Sequence, residues 1–159
     1  MKKAILLLAL FCSSAFADKM EDIKILSQEA ASIYAPDLHY TIPPIVYLSP
    51  KDLTIKVCGK QCPNDSFVVG LYDGGTIYLR STWDPQNDTD ASYYVHEFVH
   101  HLQYLSKVID PTAKGTCEEN VRIEFVAYSV QNQWLMRRGK GFPYRMMQQL
   151  SYISAGCNP

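Results

Sequence analysis

His96-Glu97-Phe98-Val99-His100 is the stretch of this 159-residue chain from which its fold is predicted. Around it, apolar residues recur at three- and four-residue intervals, which is the spacing of one face of an α-helix. These residues are Val95, Phe98, Leu102, Leu105 and Ile109. At about 100° per residue, the two histidines lie together on the opposite face. We therefore predict a helix over residues 91–108 that presents both imidazoles on one side.

The order of residue types in this stretch is H-E-x-x-H, which is typical of a zinc site. Two histidines one helical turn apart bind the metal, and the glutamate between them accepts a proton from water. A simpler interpretation is that His96 and His100 are solvated residues on a polar helix face. The position of Glu97 and the neighbouring aromatic residues favours the metal site. We predict that His96 and His100 are zinc ligands and that Glu97 is the catalytic base.

A zinc hydrolase normally has three protein ligands, and the next helix is predicted to supply the third. The short connection after the motif helix predicts an antiparallel helix over residues 116–138. At about 1.5 Å per residue, Glu124 or its neighbour lies level with His100. Glu118 and Glu119 lie too close to the start of the second helix to be level with His100. Glu124 is therefore the predicted third ligand.

Glu124 also falls on a stripe of helix positions that otherwise face inward. The stripe contains Cys117, Val121, Glu124, Tyr128, Gln131 and Leu135. A buried carboxylate needs a partner, because an unpaired buried charge is costly. A metal is one such partner, and the cation of Arg122 is another. We predict one zinc ion per chain as the cofactor.

The other predicted elements surround these two helices and complete an α+β domain. Pro36 ends a helix of apolar periodicity, and Ser49-Pro50 has the pattern of an N-cap followed by a first-turn proline. The predicted helices lie over residues 19–35, 50–57 and 142–153, and a strand lies over residues 45–48. The runs 67–72 and 76–80 are β-rich and are separated by Asp73-Gly74-Gly75, so we predict a small antiparallel sheet built on a hairpin.

The first residues predict that the protein is exported. Met1-Lys2-Lys3 is basic, residues 4–11 are apolar, and the segment that follows ends in an A-x-A pattern at Ala17. These features are typical of a secretory signal peptide over residues 1–17. We predict a single domain over residues 18–159, located in the periplasm or outside the cell. The apolar run is too short to span a bilayer, so no membrane association is expected after cleavage.

Four cysteines follow the predicted signal peptide: Cys58, Cys62, Cys117 and Cys157. An even number in an exported chain predicts two disulfides, for which three pairings exist. We favour Cys58–Cys62, a tight loop, and Cys117–Cys157, which ties the C-terminal tail to the start of a helix. An oxidising compartment disfavours a zinc site made of these thiols.

The charge of the chain excludes two classes of partner. The sequence has 15 lysines and arginines against 16 aspartates and glutamates. No basic cluster stands out among them, so neither nucleic acid nor an anionic membrane is a predicted partner. The sequence leaves the oligomeric state open.

Two segments carry a resemblance to a known class of enzymes. Residues 96–103 (HEFVHHLQ) and 124–131 (EFVAYSVQ) resemble gluzincin zinc metallopeptidases, and more closely a group of small exported bacterial metallopeptidases. The resemblance covers roughly residues 65–135. It implies a zincin-like fold, the ligands His96, His100 and Glu124, and Glu97 as base. It also implies that residues 76–80 form an edge strand that holds an extended substrate.

The sequence departs from this class at one position. Several gluzincins have an aspartate where this chain has Tyr128, and that aspartate supports a ligand histidine. The surroundings of the ligands must therefore differ here. A donor for the developing oxyanion is also needed. Tyr128, one turn after Glu124, is the first candidate and His101 is the second, although a hydrogen bond between Glu97 and His101 on the surface is an alternative role for His101.

The function predicted from these residues is an exported zinc-dependent hydrolase of peptide bonds. Its expected substrate is a peptide or protein, including a peptide crosslink of the cell wall. Two other classes remain open. The first is a non-catalytic metal-binding protein that uses the same ligands. The second is a disulfide-stabilised binding protein, in which 11 tyrosines line a carbohydrate or protein surface.

Overall fold

Four helices and three strands make up the described part of the chain. A computed structural model describes residues 4–59, 68–109 and 115–140, with side chains described from residue 18 onward. In chain order the elements are α1 (Ala4–Tyr34), β1 (Ile45–Leu48), α2 (Pro50–Cys58), β2 (Gly70–Asp73), β3 (Thr76–Arg80), α3 (Asp88–Leu105) and α4 (Cys117–Arg137). The predicted α+β class is confirmed. The helix predicted over residues 142–153 lies outside the described residues.

The first two helices end close to their predicted positions, but α1 begins earlier than predicted. It begins at Ala4 rather than near residue 19, because the preceding segment is rich in alanine and leucine, which favour helix. The predicted N-cap of α2 is confirmed, since Ser49 Oγ accepts a 3.1 Å hydrogen bond from the Asp52 N–H. No helix in the described ranges is both long and apolar enough to cross a membrane.

The sheet is mixed rather than antiparallel, which corrects the prediction. Its order is β1-β3-β2, in which β1 runs parallel to β3 and β2 runs antiparallel to β3. A parallel pair needs a long crossover between its strands, and the segment that contains α2 and β2 provides it. The prediction of residues 76–80 as an edge strand is wrong, because β3 is the central strand and β2 is at an edge of the described sheet.

The β2–β3 hairpin turns through two residues, Gly74 and Gly75. Their φ angles are 53° and 99°, which glycine adopts without steric cost. Asp73, predicted to lie in the turn, pairs instead with Thr76 as the last residue of β2. The hairpin brings β2 into contact with α3.

Both ends of α3 lie three residues before the predicted ends, because capping side chains set them. Asn87 Oδ1 accepts hydrogen bonds from the N–H groups of Thr89 and Asp90, so residues predicted as loop form the first turn. At the other end Lys107 has a φ of 59°, and the Val108 N–H bonds to the Gln103 carbonyl at 2.8 Å. Such a left-handed residue ends a helix.

α3 is the central helix, and it is buried on both faces. Its apolar face lies in a core that includes Ile23, Leu26, Ile77, Leu79, Trp83, Val95, Phe98 and Leu102. Its histidine face is covered by β2 and α4. Ser92 contacts Gln131 near the start of α3, and Gln103 contacts Ile123 near its end. These contacts confirm that the two motif helices are antiparallel.

A buried ion pair holds the start of α3 against the sheet. Arg80 at the end of β3 places Nη2 2.6 Å from Asp90 Oδ1, and Asp90 Oδ2 accepts a 3.0 Å hydrogen bond from the Asp84 N–H. The Trp83 indole donates to the Asp90 carbonyl at 2.7 Å. These bonds fix the start of the motif helix relative to the end of β3.

Candidate metal centre

The three predicted ligands come together between α3 and α4. Nε2 of His96 and Nε2 of His100 lie 3.1 Å apart on successive turns of α3. Glu124 Oε2 is 3.2 Å from His96 Nε2, and Glu124 Oε1 is 3.3 Å from His100 Nε2. Their ligand atoms all lie within 4.8 Å of one another. Glu124 is thus level with His100, as the helix geometry predicts.

The separations of these atoms fit a tetrahedral zinc ion. Atoms bound at about 2.0–2.1 Å from zinc, at the tetrahedral angle, lie about 3.3 Å from each other. The two imidazole nitrogens are 3.1 Å apart, close to that value, and each lies 3.2 or 3.3 Å from a different oxygen of Glu124. Imidazole nitrogen and carboxylate oxygen are also usual zinc ligands. These three side chains are therefore of a kind and spacing that could hold one metal ion.

The simpler interpretations of these residues do not agree with the structure. His96 and His100 are 5% and 8% exposed, so they are not solvated on a polar surface. Arg122 is exposed and lines a different cleft, near the connection between α3 and α4. The two oxygens of Glu124 lie 3.2 Å from His96 Nε2 and 3.3 Å from His100 Nε2. The carboxylate is therefore paired with the imidazoles.

The pKa values of this cluster reflect that pairing. Burial by itself would raise the pKa of the Glu124 carboxyl, but the close contacts with the imidazoles of His100 and His96 outweigh burial and hold this pKa well below its ordinary value. For His100, burial acts to lower the pKa, and the contacts with Glu124 outweigh it and raise the pKa. Glu124 is thus held as a carboxylate, which is the form that binds a cation.

Each ligand histidine is oriented by a different neighbour. His100 Nδ1 lies 2.8 Å from the Oε1 atom of Gln103, which is buried. His96 packs against the ring of Tyr128, with centroids 4.3 Å apart. Among the described residues, His96 Nδ1 is buried and has no hydrogen-bond partner. Sequence reasoning assigned no role to Gln103, although its position one turn after His100 was a usable signal.

Glu97 faces strand β2. Its Oε2 accepts a 2.7 Å hydrogen bond from the Tyr72 backbone N–H. A Cβ atom at Gly70 would lie only 2.8 Å from Glu97 Cγ, so the close approach of β2 requires glycine there. Sequence reasoning missed both β2 residues. A glycine inside a predicted strand was the available signal, because such glycines often mark close backbone approach.

A cleft of about 330 Å³ opens over the candidate metal centre. It is lined by His96, Glu97, His100, Glu124, Tyr128, Tyr93, Tyr72, Gly70, Leu71, Val57, Val68 and Val69. Burial, reinforced by the charges of Glu124 and Glu97, raises the pKa of the Tyr128 phenol well above its ordinary value. The Tyr128 hydroxyl therefore stays protonated and able to donate a hydrogen bond.

His101 does not line this cleft. Its Nε2 lies 2.9 Å from the Thr41 carbonyl, and its Nδ1 lies 3.4 Å from the Tyr72 hydroxyl. Burial lowers the pKa of this imidazole. The predicted surface hydrogen bond to Glu97 is wrong, because His101 is buried and both of its nitrogens face other groups. His101 supports the position of Tyr72 instead.

Two of the four predicted disulfide cysteines are among the described residues. Cys58 ends α2 and Cys117 begins α4, and each is disulfide-bonded. Cys62 and Cys157, the predicted partners, lie outside the described residues. The pairing Cys58–Cys62 and Cys117–Cys157 therefore stays a prediction.

Comparison with known proteins places the chain in a family. No curated protein matches it, and no solved structure matches it. A family model described as "Domain of unknown function (DUF6647)" matches residues 19–159. The match contains all three candidate ligands, Glu97, Tyr128 and the four cysteines. Because it spans most of the chain, the protein belongs to the DUF6647 family.

Proposed function

We propose that this protein is an exported zinc-dependent hydrolase that cleaves peptide bonds, with a zincin-like site of the gluzincin type. The observation that carries the proposal is the meeting of His96, His100 and Glu124, with ligand atoms within 4.8 Å of one another, beside Glu97 in one cleft. A purely structural metal site has no need of an acidic side chain at this position. Glu97 is therefore what favours a hydrolase.

In this proposal His96, His100 and Glu124 hold the metal. When bound, zinc lowers the pKa of water and polarises a carbonyl group. Glu97 accepts the water proton on its carboxylate and passes it to the leaving amine. The Tyr72 N–H fixes Oε2 of that carboxylate, so we assign the proton transfer to Oε1. Because this hydrogen bond already restricts the Glu97 side chain, less conformational freedom is lost when Glu97 transfers the proton.

Tyr128 is the proposed donor to the developing oxyanion. It lines the cleft beside His96, and its raised pKa keeps the hydroxyl proton in place. A well-placed donor of this kind contributes about 3–4 kcal/mol to the stabilisation of the transition state. His101 is not assigned this role, since its nitrogens face Thr41 and Tyr72.

The proposed substrate is an extended peptide, either in an unfolded protein or in a cell-wall crosslink. β2 lines the cleft and lies at an edge of the described sheet, so an added strand can pair with backbone groups of β2 other than the Tyr72 N–H, which Glu97 holds. The cleft wall is apolar at Val57, Val68 and Leu71. Apolar side chains in the substrate would bury surface against these residues.

Export is proposed from the signal-like N-terminal segment. The disulfide-bonded state of Cys58 and Cys117 supports it, because disulfides persist in oxidising compartments. The family match begins at residue 19, just after the predicted cleavage site. Recovery of the protein from the periplasm or the medium, with Asp18 as its first residue, is the expected result.

The test is zinc content by elemental analysis of the purified protein, followed by hydrolysis of peptides and of peptidoglycan. We expect one zinc per chain and hydrolysis that Glu97→Gln abolishes while zinc is retained. Full activity of Glu97→Gln would overturn the mechanism. Bound zinc without hydrolysis of either substrate would favour a non-catalytic metal-binding protein. No zinc uptake would favour a disulfide-stabilised binding protein.

A further inference from the structure

Gln103 is a buried amide that contacts both motif helices. We infer that it is a positioning residue, which fixes the His100 imidazole in the tautomer that leaves Nε2 free for a metal. This inference rests on the proposed zinc site. Gln103 lies one turn after His100 on α3 and is 1% exposed. It does not line the cleft over the candidate ligands, so it acts on the site through the groups that it contacts.

The two hydrogen bonds of Gln103 determine which way its amide faces. Nε2 lies 3.0 Å from the Ile123 carbonyl on α4. A backbone carbonyl only accepts, so the amide NH₂ must face it. The amide oxygen Oε1 must then face His100 Nδ1, which is 2.8 Å away. The orientation of the amide is therefore fixed by a helix backbone rather than by the imidazole.

This orientation in turn fixes the tautomer of His100. An amide oxygen only accepts, so Nδ1 must carry the hydrogen. A neutral imidazole with its hydrogen on Nδ1 has its lone pair on Nε2. Nε2 is the atom that lies 3.3 Å from Glu124 Oε1 and 3.1 Å from His96 Nε2. The lone pair thus points at the place where the three ligands meet.

Without Gln103 the proton has a better position on the other nitrogen. Glu124 Oε1 faces His100 Nε2 at 3.3 Å and can accept a hydrogen from it. With no acceptor at Nδ1, the hydrogen moves to Nε2 and forms a hydrogen bond to this carboxylate. His100 and Glu124 are then bonded to each other and are not available to bind a metal. Gln103 therefore opposes a direct hydrogen bond from His100 Nε2 to Glu124.

The same amide also sets the distance between the ligand-bearing helices. Ile123 immediately precedes Glu124, so the bond from Gln103 joins α3 to α4 next to the third ligand. His96 has no such bond among the described residues, and its position depends on packing against Tyr128. The two histidines should therefore respond differently to loss of Gln103.

Two variants and a matched control test this inference. Gln103→Met keeps the side-chain length and removes both hydrogen bonds, whereas Gln103→Glu keeps an acceptor toward His100 and removes the donor to Ile123. Gln131→Met is the control, because Gln131 is a buried glutamine on α4 that donates to Ser92 Oγ away from the ligands. It makes the same change in the same core and should not alter the tautomer.

The first readout is the ¹⁵N spectrum of His100 in the metal-free oxidised protein, at a pH alkaline enough for a neutral imidazole. The second is zinc affinity by competition with a chelator. We expect the wild-type protein and Gln131→Met to carry the hydrogen on Nδ1, and Gln103→Met to carry it on Nε2. Loss of an outer hydrogen bond to a ligand histidine should weaken zinc binding about 10- to 100-fold. Gln103→Glu should restore the Nδ1–H tautomer.

Two results would overturn the inference. One is an Nδ1–H tautomer of His100 that persists in Gln103→Met. The other is an equal loss of zinc affinity in Gln103→Met and Gln131→Met, which would indicate a general effect on the core. If the wild-type protein binds no zinc, the proposed function fails, but the tautomer measurement still decides the role of Gln103.

Discussion

The Tyr72 backbone N–H lies 2.7 Å from Glu97 Oε2 and donates a hydrogen bond to it. A strand at an edge of the described sheet is thereby joined to the glutamate between the two ligand histidines. The bond comes from the backbone, so among substitutions at position 72 only proline, which has no N–H, would remove it directly. Its length depends on how closely β2 approaches α3, and Gly70 controls that approach.

We predict that Gly70→Ala displaces Glu97 and reduces hydrolysis without loss of zinc. The added Cβ would lie 2.8 Å from Glu97 Cγ and 3.3 Å from Glu97 Oε1, so the side chain or the strand must move. A displacement near 1 Å in a catalytic site lowers the rate by about 100-fold. Peptide hydrolysis and zinc content, measured on the same sample, check this prediction.

Gly139→Ala is the matched control for this substitution. Gly139 has a φ of 71°, and a Cβ there meets no atom within 4 Å, so the change strains the backbone far from the cleft. It should lower stability by about 1 kcal/mol and leave hydrolysis intact. Wild-type activity of Gly70→Ala would contradict the assignment of Glu97 to proton transfer in its present position.

Tyr128→Phe should keep the metal and lose most of the activity. Phenylalanine preserves the ring that packs against His96 at 4.3 Å but lacks the hydroxyl. Loss of a single oxyanion donor reduces kcat by about 100- to 1000-fold. The kcat and KM for a peptide substrate, with zinc content, measure the effect.

Tyr78→Phe is the control for this substitution, because Tyr78 lies on β3 outside the cleft. A large loss in Tyr93→Phe, with none in Tyr128→Phe, would transfer the role to Tyr93.

Glu124→Gln should abolish tight zinc binding while the fold is retained. The amide has nearly the same size but lacks the charge that the two histidines stabilise. Zinc per chain is expected to fall from one toward none in elemental analysis after dialysis. Glu118→Gln, an exposed change in the first turn of the same helix, should retain a full complement. Undiminished zinc in Glu124→Gln would show that a different third ligand completes the site.

Helix geometry explains why the meeting of His96, His100 and Glu124 could be predicted from the sequence. The spacing of His96 and His100 depends only on one helical turn, and the level of Glu124 depends on the length of two helices and a short connection. These spacings and lengths depend on local sequence and can be read from it. The strands 45–48 and 76–80 were likewise predicted from local composition and were observed at those positions.

What the sequence did not provide depends on contacts between distant segments. The direction of β1 relative to β3 is set by the crossover through α2, which no local pattern reports. The burial of the histidine face results from β2 and α4 together, and a single helix shows only that this face is polar. The roles of Gln103 and Gly70 follow from the same packing, since each is defined by a partner at least 20 residues away.

The last prediction concerns the ion pair that holds α3 to the sheet. Asp90→Ala removes the carboxylate that pairs with Arg80 and accepts from the Asp84 N–H, and it leaves a largely buried guanidinium without that partner. Breaking a fully buried pair costs about 3–5 kcal/mol of the free energy of unfolding, and the partial exposure of Arg80 places the loss here near the lower end of that range. Urea unfolding of the metal-free protein measures this loss without a contribution from bound zinc.

Glu21→Ala is the control, because it removes one member of the exposed pair with Lys24 and should change stability by less than about 1 kcal/mol. If the two variants were equally stable, the Arg80–Asp90 pair would not be what fixes the motif helix, and the position of Glu97 against β2 would depend on the apolar core alone.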